Sequence, residues 1–220
     1  MNVDAKKQIE IINRLKRYDS APVSTSTLKS VLASYGYPNN KILSLENDGF
    51  LIRLKKGLYT VSPEITGACI NKYVTSNGLF GPSYVSYQSA LYYYGLIPEA
   101  VATTTAVTFK RSQSYSTPVG IFKYYHVPND YYSVGYTIIY ENNNAYTIAR
   151  KEKALCDLIV LNRGSKLQSK KAMTVFLEDD MRVDMDELKS FDITIIDSCL
   201  NAGIKRNEIV LLKEIVNGCK

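Results

Sequence analysis

Over residues 4–62 the spacing of apolar residues is helical three times and then alternates, and this order narrows the available folds more than any other feature. Ile9, Ile12 and Leu15 repeat at helical spacing from about Asp4 to Arg17. The run APVSTS breaks the pattern, and Ser24 to Ser26 offer N-cap hydroxyls. Leu28, Val31 and Leu32 then mark a second helix that Gly36 closes. YPNNK restarts the chain with Asn39 or Asn40 as cap, and Ile42 and Leu45 mark the buried side of a third helix ending at Asp48-Gly49. FLIRL, a tight Lys55-Lys56-Gly57 turn and LYTV read as a hairpin.

Helix, helix, turn, helix and hairpin in about 60 residues is the layout of a winged helix-turn-helix. Charge follows the same boundary. Residues 1–62 carry ten basic and five acidic side chains, whereas the other 158 carry 17 and 16, so the excess sits on this module. Such asymmetry points to a polyanion partner, with a merely solvated basic surface as the alternative. The third helix presents Asn39, Asn40, Lys41 and Ser44 near its N-terminal end, where amides can pair with adenine in the major groove. Arg53, Lys55 and Lys56 on the hairpin suit phosphates or the minor groove. Ser26, Lys29 and Tyr59 complete the candidate DNA-binding set. Docking to a protein is the competing use of such a module.

The remainder reads differently. A linking helix is expected near Ile65–Thr75, within a linker of residues 63–80. Ser86 caps a helix through Tyr94, stopped by Gly95. Residues 103–109, 119–127, 134–140 and 145–149 are β-rich, with ENNN at 141–144 as a hairpin turn. The helix KEKALCDLIVLN follows, with Ala154, Leu155, Leu158 and Ile159 on one face and Lys151-Glu152-Lys153 as an exposed start. Helices near Leu167–Leu177, after FDI and over Asn207–Val216 close the chain and are expected to pack on the sheet. The expected fold is therefore α+β: a winged helix-turn-helix (1–62), a linking helix (63–80) and an α+β domain with an antiparallel sheet and a helical C-terminal end (81–220).

Composition limits the chemistry. The single histidine, His126, lies in the apolar run IFKYYHVP and reads as a packed or surface strand residue. Cys69, Cys156, Cys199 and Cys219 form no CxxC pair, so reduced thiols are expected and a zinc site is not. No phosphate-binding glycine loop occurs, and no cofactor is called for. MNVDAKKQIE has no apolar signal region and no run spans a bilayer, so a cytoplasmic, non-membrane protein is expected. The acidic stretch Glu178, Asp179, Asp180, Asp184, Asp186 and Glu187 matches no calcium loop and is interrupted by Arg182, which reads as a solvated turn rather than a metal site. A metal-dependent nuclease built on it is the opposing enzymatic reading. Lys110, Arg111 and Lys123 form a possible second basic face, or a protected strand edge. The 18 tyrosines read mainly as packing for a half-buried sheet.

Several runs occur together in order: Gly95-Leu96, Lys110-Arg111, Thr117-Pro118 with Gly120, Phe122 and Tyr124, and Glu152 to Leu158, besides Gly57-Leu58-Tyr59 on the hairpin. In this the chain resembles the AbiEi antitoxin family of bacterial type IV toxin–antitoxin systems over about residues 5–165. Ala149-Arg150 stands where many members carry a proline before the helix. The resemblance implies a non-enzymatic autorepressor that binds inverted repeats in double-stranded DNA upstream of its own operon, with self-association on DNA. It also implies an antitoxin that opposes a cognate nucleotidyltransferase toxin without a stable complex. Some members regulate transcription only.

Overall fold

Ser24 begins the order in the first part of the chain. Its hydroxyl accepts from Thr27 N at 3.1 Å and caps helix α2 (Thr25–Val31), satisfying a backbone donor that the helix leaves open. Before it lie α1 (Val3–Leu15), a 3-10 turn (Lys16–Tyr18) and strand β1 (Val23–Ser24). After it come α3 (Pro38–Asn47), β2 (Leu51–Lys55) and β3 (Leu58–Val61). This computed structural model describes residues 3–19, 21–141 and 144–219.

The three strands form an antiparallel sheet in the order β1-β3-β2, with Val23 opposite Tyr59 and Leu51 opposite Val61. Ile11, Leu15, Leu28, Leu32, Ile42, Leu45, Leu51, Tyr59 and Val61 meet in one core, with Ile12 and Val31 partly buried against it; Ile9, expected on the apolar stripe of α1, is instead 48% exposed, and Ile11 takes the inward position. Two helix limits also differ from expectation. The helix α3 starts at Pro38 with Tyr37 as N-cap, because the fixed φ of proline suits the first helical turn; Asn39 and Asn40 are inside the helix, not caps. Helix α2 ends at Val31, well before Gly36.

The single linking helix is replaced by two, α4 (Pro63–Thr66) and α5 (Lys72–Leu79). Gly67, at φ +73°, ends the first in a left-handed conformation. Asn71 starts the second by accepting from Tyr73 N and Val74 N. Ile65 of α4 belongs to the core just described.

The chain forms two compact units. The first comprises Met1–Gly81, Ser116–Ile121 and Tyr140–Tyr146; the second comprises Pro82–Tyr115, Phe122–Ile139 and Thr147–Lys220. Within the first, Asn144 donates to the Asp19 carboxylate at 2.9 Å, and the Tyr73 and Tyr146 rings lie 5.4 Å apart.

The remaining strands are β4 (Tyr84–Val85), β5 (Thr103–Thr108), β6 (Gln113–Thr117), β7 (Gly120–His126), β8 (Tyr136–Glu141) and β9 (Asn144–Ala149). They form a six-stranded sheet in the order β6-β7-β5-β4-β9-β8. It is not wholly antiparallel. The strand β4 runs antiparallel to β5 (Tyr84 opposite Val107) but parallel to β9 (Val85 opposite Ile148), so the sheet is mixed. Asn142 and Asn143 of the expected ENNN turn lie outside the described residues.

The helices α6 (Gln88–Tyr93), α7 (Asn129–Tyr132), α8 (Lys151–Leu161), α9 (Lys170–Val175), α10 (Ile193–Asn201) and α11 (Arg206–Cys219) complete the α+β architecture. The C-terminal α11 packs against α8, α9 and α10. Helix α8 is surrounded by α6, α10 and α11 and is buried continuously from Glu152 to Ile159. The expected exposed start at Glu152 and Lys153 is therefore wrong; both are inside because partners remote in sequence satisfy them. Among the described residues no helix is long and apolar enough to cross a membrane.

Candidate nucleic-acid interface

Ile42 and Leu45 anchor the inner side of α3 at 4% and 1% exposure. Their anchoring turns Asn39, Asn40, Leu43 and Asn47 to solvent. Tyr37, at the start of the helix, is 79% exposed. The other expected contacts of this helix are more constrained. Lys41 is half-buried with its ammonium 5.7 Å from the Tyr35 ring centroid, and Ser44 donates to Asp48 at 3.2 Å.

On the hairpin, the expected residues divide by what they already touch. Arg53 donates to the Glu46 carboxylate at 2.6 Å and lies over the Tyr59 ring at 5.5 Å. The Glu46 hydrogen bond, then the Tyr59 and Glu46 charges, hold the guanidinium pKa above its ordinary value. Tyr59 is 6% exposed, so it serves as a core ring beneath Arg53 and not as a surface contact. Lys55 donates to the backbone carbonyl of Leu79 at 2.6 Å, which ties the base of the turn to the end of α5. Lys56 stands exposed beside Gly57, whose φ of +81° makes the turn. On α2, Lys29 is exposed, and the exposed Ser26 shares a 2.6 Å hydroxyl contact with Ser24.

The surface the structure brings forward is thus the outer face of α3, with Lys56 and Lys29 as exposed cations on neighbouring elements. Leu43, Asn47 and Tyr37 belong to it and were absent from the sequence-derived set. The signal for Leu43 was present: it falls between the core positions Ile42 and Leu45, off the buried stripe. Along α1 and α2, Asn13, Arg14, Arg17 and Ser30 line an open cleft of about 750 Å³, in which Arg14 donates to Val31 O and Glu10.

In the second unit, Lys110 and Arg111 are exposed between β5 and β6, and Lys123 is exposed on β7. His126 ends that strand. Its Nδ1 lies 3.1 Å from Phe109 O and 3.0 Å from Lys110 O; both partners are acceptors, so Nδ1 carries the proton. The imidazole pins the basic loop, which agrees with a surface strand histidine.

The second half of the acidic stretch is engaged within the protein. Asp186 meets Lys189 at 2.6 Å, Glu187 meets Lys151 at 3.7 Å, and Asp184 accepts from Asp186 N. Among the described residues, no group of three or more His, Cys, Asp or Glu is placed to hold a metal ion.

Sequence reasoning missed a charged cluster inside the second unit. Lys153 and Asp157 are both fully buried with 3.1 Å between Nζ and Oδ1. Lys153 also donates to Tyr131 O at 3.0 Å, and Ser86 donates to Asp157 Oδ2 at 2.5 Å. The ammonium lies against the Tyr131 ring. Burial, followed by the Asp157 charge, pushes the phenols of Tyr84 and Tyr131 well above their ordinary pKa. Glu152 accepts from Asp192 N at 2.9 Å and so holds the start of α10. This cluster joins β4, α7, α8 and α10 and is sealed from solvent, which suits scaffolding and not chemistry on a ligand.

Comparison with protein-family models and with curated protein sequences gave no match.

Proposed function

We propose that residues of the first unit form a winged helix-turn-helix that binds double-stranded DNA, and that the chain is a transcriptional autorepressor. The observation that carries this reading is the outer face of α3, where Asn39 and Asn40 stand exposed near the helix N-terminal end. An exposed amide there can address an adenine edge, while Lys56 at the hairpin turn and Lys29 on α2 supply phosphate contacts. The excess of basic over acidic side chains in residues 1–62 favours the same partner.

The ordered motifs from Gly95-Leu96 to Leu158 support placing the chain in the AbiEi-type antitoxin family. On that reading it represses its own operon at inverted repeats and counters a nucleotidyltransferase toxin without holding it in a stable complex. The second unit then carries the antitoxin activity.

Gel shifts of the whole chain on the DNA upstream of its own gene test the first part. The expected result is a salt-sensitive shift that Asn40→Ala weakens more on the upstream site than on random duplex. Equal losses on both would move Asn40 to a backbone-contacting role, and no shift would end the DNA reading. Magnesium-dependent cleavage of the duplex would favour a nuclease. Colony survival on co-expression with the neighbouring toxin tests the antitoxin part, and lack of rescue by the folded chain leaves a regulator alone.

A further inference from the structure

The face that α3 turns outward is unusual in composition. Counting about 100° per residue from Asn39, Leu43 lies about 40° round, Asn47 about 80° and Asn40 about 100°. Leu43 is therefore centred among three amides, and it is 52% exposed. The core does not need it, because Ile42 and Leu45 fill the inner side. The face itself carries no cation. The acid at its margin, Glu46, is occupied by Arg53 at 2.6 Å.

We infer that Leu43 is a specificity residue that reads the 5-methyl group of a thymine, so the bound duplex carries an A·T pair beneath the middle of α3. This rests on the DNA-binding reading above. An asparagine amide offers one donor and one acceptor, matching adenine N6 and N7 in the major groove. Thymine presents the only methyl group on that groove floor, and an apolar side chain is its complement. Leu43 sits one helical turn, about 6 Å, beyond Asn39, within reach of the same or the adjacent base pair. Charge complementarity selects duplex DNA as the occupant of this face: cations stand beside it on α2 and the hairpin while the face stays neutral. Backbone attraction and base discrimination are thereby assigned to different side chains.

The test uses the full chain and the duplex protected in a footprint upstream of its own gene. Each thymine of that site is replaced in turn by deoxyuridine, which deletes only the methyl group. The wild-type chain is expected to lose affinity about fourfold at one thymine per bound α3, the equivalent of one buried methylene-sized group. Leu43→Ala is expected to bind the thymine duplex more weakly and to bind the thymine and deoxyuridine duplexes equally. If the wild type binds the site but ignores every substitution, the inference is overturned while DNA binding stands. Persistent discrimination by Leu43→Ala overturns it too, since another group then reads the methyl. Failure to bind any upstream duplex removes the DNA reading and this inference together. The nucleotide substitution leaves the protein untouched, so a folding defect cannot imitate the expected result.

Discussion

Lys153→Met should destabilise the second unit by about 3–5 kcal/mol, the usual cost of breaking a buried pair by removing one member. Methionine keeps the length of the apolar stem, so packing changes little. The loss comes from what stays behind. Asp157, fully buried at 3.1 Å from the missing ammonium, keeps neutral hydroxyl partners, Ser86 and Tyr84, but no countercharge. The Tyr131 carbonyl also loses its 3.0 Å donor. Asp157→Leu should be comparably costly, since it strands the ammonium. The double variant Lys153→Met with Asp157→Leu removes both charges, so the groups that lose a partner, the Ser86 hydroxyl, the Tyr84 phenol and the Tyr131 carbonyl, are all neutral. Its cost should therefore fall well below the sum of the singles. Urea unfolding followed by circular dichroism measures the cycle, with each transition fitted separately because the chain has two units. Amide exchange over residues 151–161 reads the same loss locally. A Lys153→Met cost below about 1 kcal/mol, or a double variant as costly as the summed singles, would refute the claim that this pair is a sealed, mutually dependent charge site.

At the hairpin, Lys56→Glu should weaken DNA binding at least tenfold at moderate salt and lower the salt slope by about one unit, whereas Lys55→Met should affect DNA less and stability more, because Lys55 holds Leu79 O; equal DNA effects for the two lysines would contradict this division. The second unit should lose stability in alkali. Burial raises the folded pKa of Tyr84, Tyr131, Tyr94 and Tyr132, the last two to about 12, so the folded state keeps protons that the unfolded state releases. Stability from this source is complete below the ordinary tyrosine pKa of about 10 and is lost as pH rises towards the folded values. Near-ultraviolet difference titration should show these phenols ionising only with unfolding, and early ionisation of all 18 tyrosines would contradict their burial.

The helices and hairpin up to Val61 were readable in the sequence because most of their core residues fall at local, regular spacings. Leu28 and Leu32, Ile42 and Leu45, and the alternation around Lys56-Gly57 are all local signals of a buried face. The same logic failed where length or polarity removed the signal. The strand β4 has only two residues, too few for a period, yet it sits in the sheet between β5 and β9. The strand β6 reads QSYST and lies at the sheet edge, where its mostly exposed side chains show no apolar alternation. Lys153 looked like a solvated helix start because its partners, Tyr131 O and the Ser86-bonded Asp157, are assembled by tertiary packing. At the candidate interface, Asn39, Asn40 and Lys56 were legible as exposed polar groups, while the covered state of Tyr59 and the tether on Lys55 depend on neighbours that no local pattern reports.

Residues 116–121 and 140–146 belong to the first unit although they interrupt the second, so the polypeptide passes between the units five times. During synthesis the first unit therefore lacks its last segment until Tyr146 has been added, long after the hairpin ending at Val61. At ribosomal rates of 5–20 residues per second, that interval is on the order of 4–17 seconds. A nascent chain passes that time with α1, α2, α3 and the hairpin already translated while the partner of Asp19, Asn144, is still to be made. No single proteolytic cut or gene fusion point separates the two units.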